Sequence, residues 1–241
     1  MAQGYAKAPI TEATVEFRLS EALTDRELSR LGARFKKGNW KSDDLAEISV
    51  RVGVTSEILQ NPIGHKYTSA DGRYVIQQLR KSLVVSRNAP YCGWDDYIAF
   101  VRDQYSRWRK VIGHKSIERI GVRYINRIDI PFDGKEHIDP QDYFRFLPRN
   151  LEILDAPPLG WHAQVLSTHS TNRISVTLTT ATVEPVLIDH ISVLLDCDMY
   201  RFRVDVPQAD DQIWSFLDLV RESKNEIFEA CITDSTRQLI S

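Results

Sequence analysis

One stretch constrains the rest of the chain more than any other: Glu118-Arg119-Ile120-Gly121-Val122-Arg123-Tyr124-Ile125-Asn126-Arg127-Ile128-Asp129-Ile130. Ile120, Val122, Tyr124, Ile128 and Ile130 recur at even positions, with Asn126 in the same row, whereas Arg119, Arg123 and Arg127 fall in the odd row. A period of two belongs to a strand, whose side chains alternate between faces. At the usual strand rise, successive arginines stand about 13–14 Å apart on one face. A strand from Ile117 to Ile130 needs partners along its whole length and an apolar cover for its even row. Both must come from elsewhere in the chain.

The partners are legible as further strands. Ala13, Val15, Phe17 and Leu19 alternate with Thr14, Glu16 and Arg18. Ala46, Ile48, Val50, Val52 and Val54 share one face of another strand, and Tyr67-Thr68-Ser69 and Tyr74 to Leu79 flank an Asp71-Gly72 turn of hairpin type. Leu83 to Arg87 reads as a further strand. Later, Trp161 to His169 and Arg173 to Ala181 are joined by Ser170-Thr171-Asn172, and a broken strand spans Ile188 to Val206.

The cover comes from helices. Thr24 is the expected N-cap of one that carries Leu28, Leu31 and Phe35 on a stripe and ends at Lys36-Lys37-Gly38. Trp94 to about Val111 places Tyr97, Val101, Tyr105, Trp108 and Val111 at helical spacing. Asp139-Pro140 opens a predicted helix holding Tyr143, Phe144 and Leu147. Asp155 to Gly160 reads as a loop. A last helix starts near Asp210-Asp211 and carries Ile213, Phe216, Leu217, Val220, Ile227, Phe228 and Cys231.

This order predicts an α+β fold: antiparallel sheet, or sheets, with helices packed on one face. Residues 1–113 and 114–241 form two β/α halves of one compact unit, read as two β-α-β-β-β-α pseudo-repeats. With 42% hydrophobic residues and a net charge of −2 in 241 residues, the chain is neither disordered nor strongly charged. No run approaches the roughly 20 apolar residues of a membrane helix, and the N-terminus has no signal-peptide stretch, so a cytoplasmic protein without membrane contact is expected.

The chemistry is sparse. Neither Gly-x-x-x-x-Gly-Lys nor Gly-x-Gly-x-x-Gly occurs, and the six histidines show no metal-ligand spacing. Cys92, Cys197 and Cys231 are three in number and far apart, against a disulfide framework or a zinc knuckle. Cys92 precedes a helix but has no recognisable base beside it. Asp196 and Asp198 share a strand face, as a cation site with a third carboxylate or as partners for arginines. Neither a metal nor a cofactor is expected, and no catalytic residue is assigned.

Charge gives the one positional clue. From Tyr97 to Arg127 eight basic residues face two acids, and from Glu184 onward twelve acids face five bases. Guanidinium forks fit carboxylates and phosphates equally. Arg119, Arg123 and Arg127, with Tyr124 and Asn126, are therefore candidates for an anion-binding or partner-binding strip. The competing reading is an internal ion-pair ladder with Asp196, Asp198 or Asp205.

Pro9-Ile10-Thr11-Glu12-Ala13-Thr14-Val15-Glu16-Phe17-Arg18, the Arg119–Ile128 segment and Phe228-Glu229-Ala230-Cys231-Ile232-Thr233 together resemble a sporadically distributed prokaryotic family of about 250 residues with no assigned activity. The resemblance spans nearly the whole chain and carries over no catalytic residue. It implies mobile genes such as toxin–antitoxin or phage-defence operons. The expectation is a non-enzymatic accessory protein that binds a protein partner. The alternatives are nucleic-acid binding through the basic middle segment, with Tyr97, Phe100, Tyr105, Trp108 and Tyr124 interleaved, and a small-molecule or nucleotide-processing enzyme in the sheet cavity.

Overall fold

The computed structural model describes residues 5–35, 40–51, 57–148 and 160–241. Among these residues, β1 (Ile10–Leu19), α1 (Asp25–Phe35), β2 (Trp40–Arg51), β3 (Glu57–Ser69), β4 (Tyr74–Leu79), β5 (Ser82–Asn88) and α2 (Trp94–Ile112) precede β6 (Ile117–Pro131). After it come β7 (His162–Thr168), β8 (Ser175–Val183), β9 (His190–Phe202), α3 (Asp210–Cys231) and α4 (Asp234–Ile240). The fold is α+β with antiparallel strand pairing. The chain divides into two compact units: an N-terminal one of residues 14–120 and 202–208, and a C-terminal one of residues 121–201 and 209–241 with the first thirteen.

In the N-terminal unit the strand order is β2-β3-β4-β5-β1-β6. Register places Tyr67 opposite Ile76, and Ile76 opposite Val85, so these side chains share one face. That face is covered by α1 and α2. Phe17 of β1 packs on Tyr105 of α2, with ring centroids 4.6 Å apart, and the Tyr97 hydroxyl donates to the Val85 carbonyl at 2.8 Å. Tyr97, Val101 and Trp108 are fully buried, as their helical spacing requires. Helix α1 starts where Thr24 predicts. The Thr24 hydroxyl accepts from the Glu27 amide, while the Glu27 carboxylate accepts from the Thr24 amide, a reciprocal cap. The bond from the Thr24 amide, with the Lys115 ammonium and the Thr24 hydroxyl also donating to it, holds the Glu27 carboxyl below its ordinary range. Gly32 of α1 lies so close to His65 of β3 that an added methyl would stand 2.7 Å from the ring nitrogen. A side chain at this position would have to displace the His65 ring.

In the C-terminal unit the order is β1-β6-β9-β8-β7. The even row of β6 is buried as predicted: Val122, Tyr124, Asn126, Ile128 and Ile130 are at most 3% exposed. Helix α3 covers this face, with the Lys224 ammonium 4.6 Å from the centroid of the Tyr124 ring. The core of the unit continues through Val193, Leu195, Ile232 and Ile240.

Two expectations need correction. The helix predicted after Asp139-Pro140 is a single turn, Pro140–Asp142. Asp139 caps it, its carboxylate accepting from the Gln141 amide, but the following backbone finds other partners. Phe144 forms a bridge with Ile232, the Arg145 amide donates to the Cys231 carbonyl, and the Tyr143 carbonyl accepts from the Thr233 amide and Thr236 hydroxyl. The strand read as reaching Val206 ends at Phe202, in a turn over Arg203–Asp205. The strand read over Ala46–Val54 is met by β2 as far as Arg51, while its positions 52–54, the helix end at 36–38 and the loop at 155–159 lie outside the described residues.

Candidate functional sites

Each arginine of the β6 odd row meets a carboxylate, but not one common ligand. In the N-terminal unit, Arg119 donates to Glu16 on β1, and Arg18 donates to the same carboxylate at 3.0 Å. In the C-terminal unit, Arg123 grips Asp196 on β9 with two hydrogen bonds of 2.9 and 2.6 Å. This fork holds the Arg123 guanidinium above its ordinary value. Arg127 donates to Asp129 at 3.0 Å, to the Ser192 hydroxyl at 2.9 Å and to the Glu184 carbonyl at 3.0 Å. Asp129 is held below the ordinary carboxylate range, the Ser192 and Arg127 hydrogen bonds outweighing the opposing effect of burial.

The other two strip candidates lie on the opposite face. Tyr124 is 1% exposed beneath Lys224, and the Asn126 amide donates to the Leu195 carbonyl at 3.0 Å. Asp196, named both as a metal ligand and as an arginine partner, is in the second role here. Among the described residues no group of three histidines, cysteines or carboxylates has metal-holding geometry. Cys92 is partly buried, with its sulfur 3.7 Å from the Tyr74 hydroxyl.

Two regions that sequence reasoning did not single out have site character. The first is the outer side of the C-terminal unit. Among the described residues, strand β7 closes the hydrogen-bonded order, and its Val165 and Leu166 are 46% and 69% exposed. The turn between β8 and β9 adds Val186, Leu187 and Ile188, with Ile188 89% exposed. The second is a cavity of about 920 Å³ in the N-terminal unit, between the α1–α2 pair and strands β2 to β4. Trp40, Tyr67, Ile76 and Phe100 line it together with Arg30, Asp103, Gln104, Arg107 and Lys110. Burial pushes the Tyr67 hydroxyl up to about 12, so it stays protonated at neutral pH.

A second helical stripe builds this cavity wall. Phe100, Asp103, Gln104, Arg107, Lys110 and Val111 follow the same period as the core stripe Tyr97-Val101-Tyr105-Trp108, displaced around the axis. Phe100 stood out in the sequence only as one of several interleaved aromatics. Its partner Trp40 lies far away in the chain, so no local pattern joins them.

No protein-family model matches the chain, and no curated protein matches it either.

Proposed function

We propose that this is a non-enzymatic binding protein that docks an extended segment of a protein partner along β7. One observation carries the reading: a strand that stands at the sheet edge among the described residues and presents two apolar side chains to solvent. Most exposed edges are protected by lysine, proline or a bulge. The sequence His162-Ala163-Gln164-Val165-Leu166-Ser167-Thr168 has neither lysine nor proline. A partner strand gains main-chain hydrogen bonds at such an edge, and alternate side chains supply specificity. The exposed Val186-Leu187-Ile188 turn follows the end of β8 that pairs with His162, extending the apolar surface available to a partner.

The same reading places the chain in the cytoplasm, as a member of the sporadic prokaryotic family it resembles and as an antitoxin-like or phage-defence subunit. It also treats residues 1–113 and 114–241 as pseudo-repeats, supported by their shared progression from strand through antiparallel strands to helix. Nucleic-acid binding through the arginine row is supported less, because each of the three guanidiniums already has a carboxylate.

The test is affinity purification from the native host with the wild-type chain and with Val165→Lys/Leu166→Lys. A protein recovered with the first and lost with the second, at unchanged melting temperature, is the expected result. Recovery indifferent to the two lysines overturns docking at β7.

A further inference from the structure

The cavity of the N-terminal unit makes three demands that one class of ligand meets. The first is for negative charge. Arg30 and Lys110 are exposed, and among the described residues neither has an acidic partner within ion-pair distance, whereas Arg107 is bound to Asp103 at 2.9 Å. Two cations on separate helices, both bordering one cavity, suit an anion at its mouth.

The second demand is for a flat ring. Trp40 and Phe100 lie nearly parallel, 23° apart with centroids separated by 6.2 Å, and Phe100 packs in turn on Tyr74 at 4.1 Å. With Tyr67 and Ile76 they give the cavity apolar walls bearing aromatic faces, on which planar heterocycles stack.

The third demand is for a hydrogen-bond donor. Gln104 is 3% exposed and lines the cavity, yet its Oε1 has no partner. Its orientation is fixed, because Nε2 donates to the Asp103 carboxylate at 2.9 Å; turning the amide round would set oxygen against oxygen. The free atom is therefore an acceptor. A buried acceptor left unpaired costs stability, and a ligand amine would satisfy it.

We propose that this cavity binds a nucleoside 5′-phosphate whose base carries an exocyclic amine. The phosphate sits at the mouth between Arg30 and Lys110, the base lies against the aromatic walls, and the amine donates to Gln104 Oε1. The volume is in the range of small-molecule pockets. The inference does not depend on partner docking at β7, which belongs to the other unit.

Isothermal titration with adenosine 5′-monophosphate, on the full chain, is the direct test. Three ligands separate the demands: adenosine lacks the phosphate, purine riboside 5′-monophosphate lacks the amine, and ribose 5-phosphate lacks the base. Each is expected to bind at least about tenfold more weakly than the complete nucleotide, the loss of one good polar or stacking interaction. Arg30→Ala/Lys110→Ala alters only exposed side chains. It should weaken the nucleotide by about tenfold or more while leaving adenosine unaffected. Gln104→Leu should abolish the preference for the amine; if that variant melts early, the purine riboside comparison on the wild type carries the same information.

Absence of binding by adenosine, guanosine and cytidine monophosphates at about 5 mM would overturn the proposal. Binding unchanged in the double-alanine variant would do the same. So would binding of oligoadenylate alone, which would mark the cavity as part of a single-strand groove.

Discussion

Replacing Lys224 by methionine should make the protein more stable, and only below alkaline pH. Lys224 projects from α3 over Tyr124, partly buried, with no carboxylate in ion-pair contact among the described residues. Burial pushes its ammonium down to about 8 from 10.5, and Arg221 adds to the fall. A tenfold change in proton affinity corresponds to about 1.4 kcal/mol, so holding the charge in the fold costs about 3 kcal/mol at pH 7. The ammonium recovers about 0.5–1 kcal/mol from the Tyr124 ring. Methionine keeps the chain length and removes both effects, which leaves a net gain of about 2 kcal/mol, or about 4–8 °C in melting temperature for a chain of this size. Below pH 8 both folded and unfolded chains carry the proton, so the cost is present in full. Between about 8 and 10.5 the unfolded chain keeps a proton that the folded one has shed, and wild-type stability rises with pH relative to the variant. Urea unfolding of both proteins from about pH 6 to pH 10 should thus show the advantage shrinking across the upper part of the range. A variant less stable than wild type at pH 7, or an advantage that ignores pH, would refute the argument.

Two further substitutions probe buried and half-buried polar groups in opposite directions. Arg123→Ala should cost only about 1 kcal/mol, less at high salt, because the Arg123 side chain is 51% exposed and solvent screens the pair with Asp196; urea unfolding at two ionic strengths measures this, and a loss above about 3 kcal/mol would show a deeper structural role. Gln78→Met should stabilise by about 1 kcal/mol, since Gln78 is fully buried on β4 with both amide atoms unpaired; a thermal melt that moves downward would contradict it.

Regular alternation was the most legible property of the chain. β6 shows why: every even side chain from Ile120 to Ile130 must be covered, so the pattern allows one answer. The starts of helices were legible too: Thr24 caps the free amide of Glu27 at α1, and Asp210-Asp211 place negative charge in the first turn of α3, where the helix dipole favours it. Asp139-Pro140 carries the same start pattern and yields one turn. Nothing local reveals that the Tyr143 carbonyl is claimed by Thr233 and Thr236, some ninety residues away in the chain. Helix α4, seven residues long, has too few turns for a periodicity to emerge. The arginine partners divide in the same way. Asp196 was recognisable as a strand acid of the right spacing, whereas Glu16 and Asp129 became partners only through the register of β1 and the short path along β6. The cavity was the least legible feature, since it needs Trp40 and Tyr67 brought beside a helical stripe from another part of the sequence.

Asn126 has one more consequence, for how this chain can change over time. It is the lone amide in an otherwise apolar row, and its bond to the Leu195 carbonyl ties β6 to β9 at one alignment. Inserting or deleting a single residue between Ile120 and Asn126 would bring arginines beneath α3 and turn isoleucines outward, while shifting the amide away from its acceptor. Length variation among descendants of this sequence should therefore be excluded from that segment and accumulate in the connections, while substitutions within the row remain free to exchange one apolar residue for another.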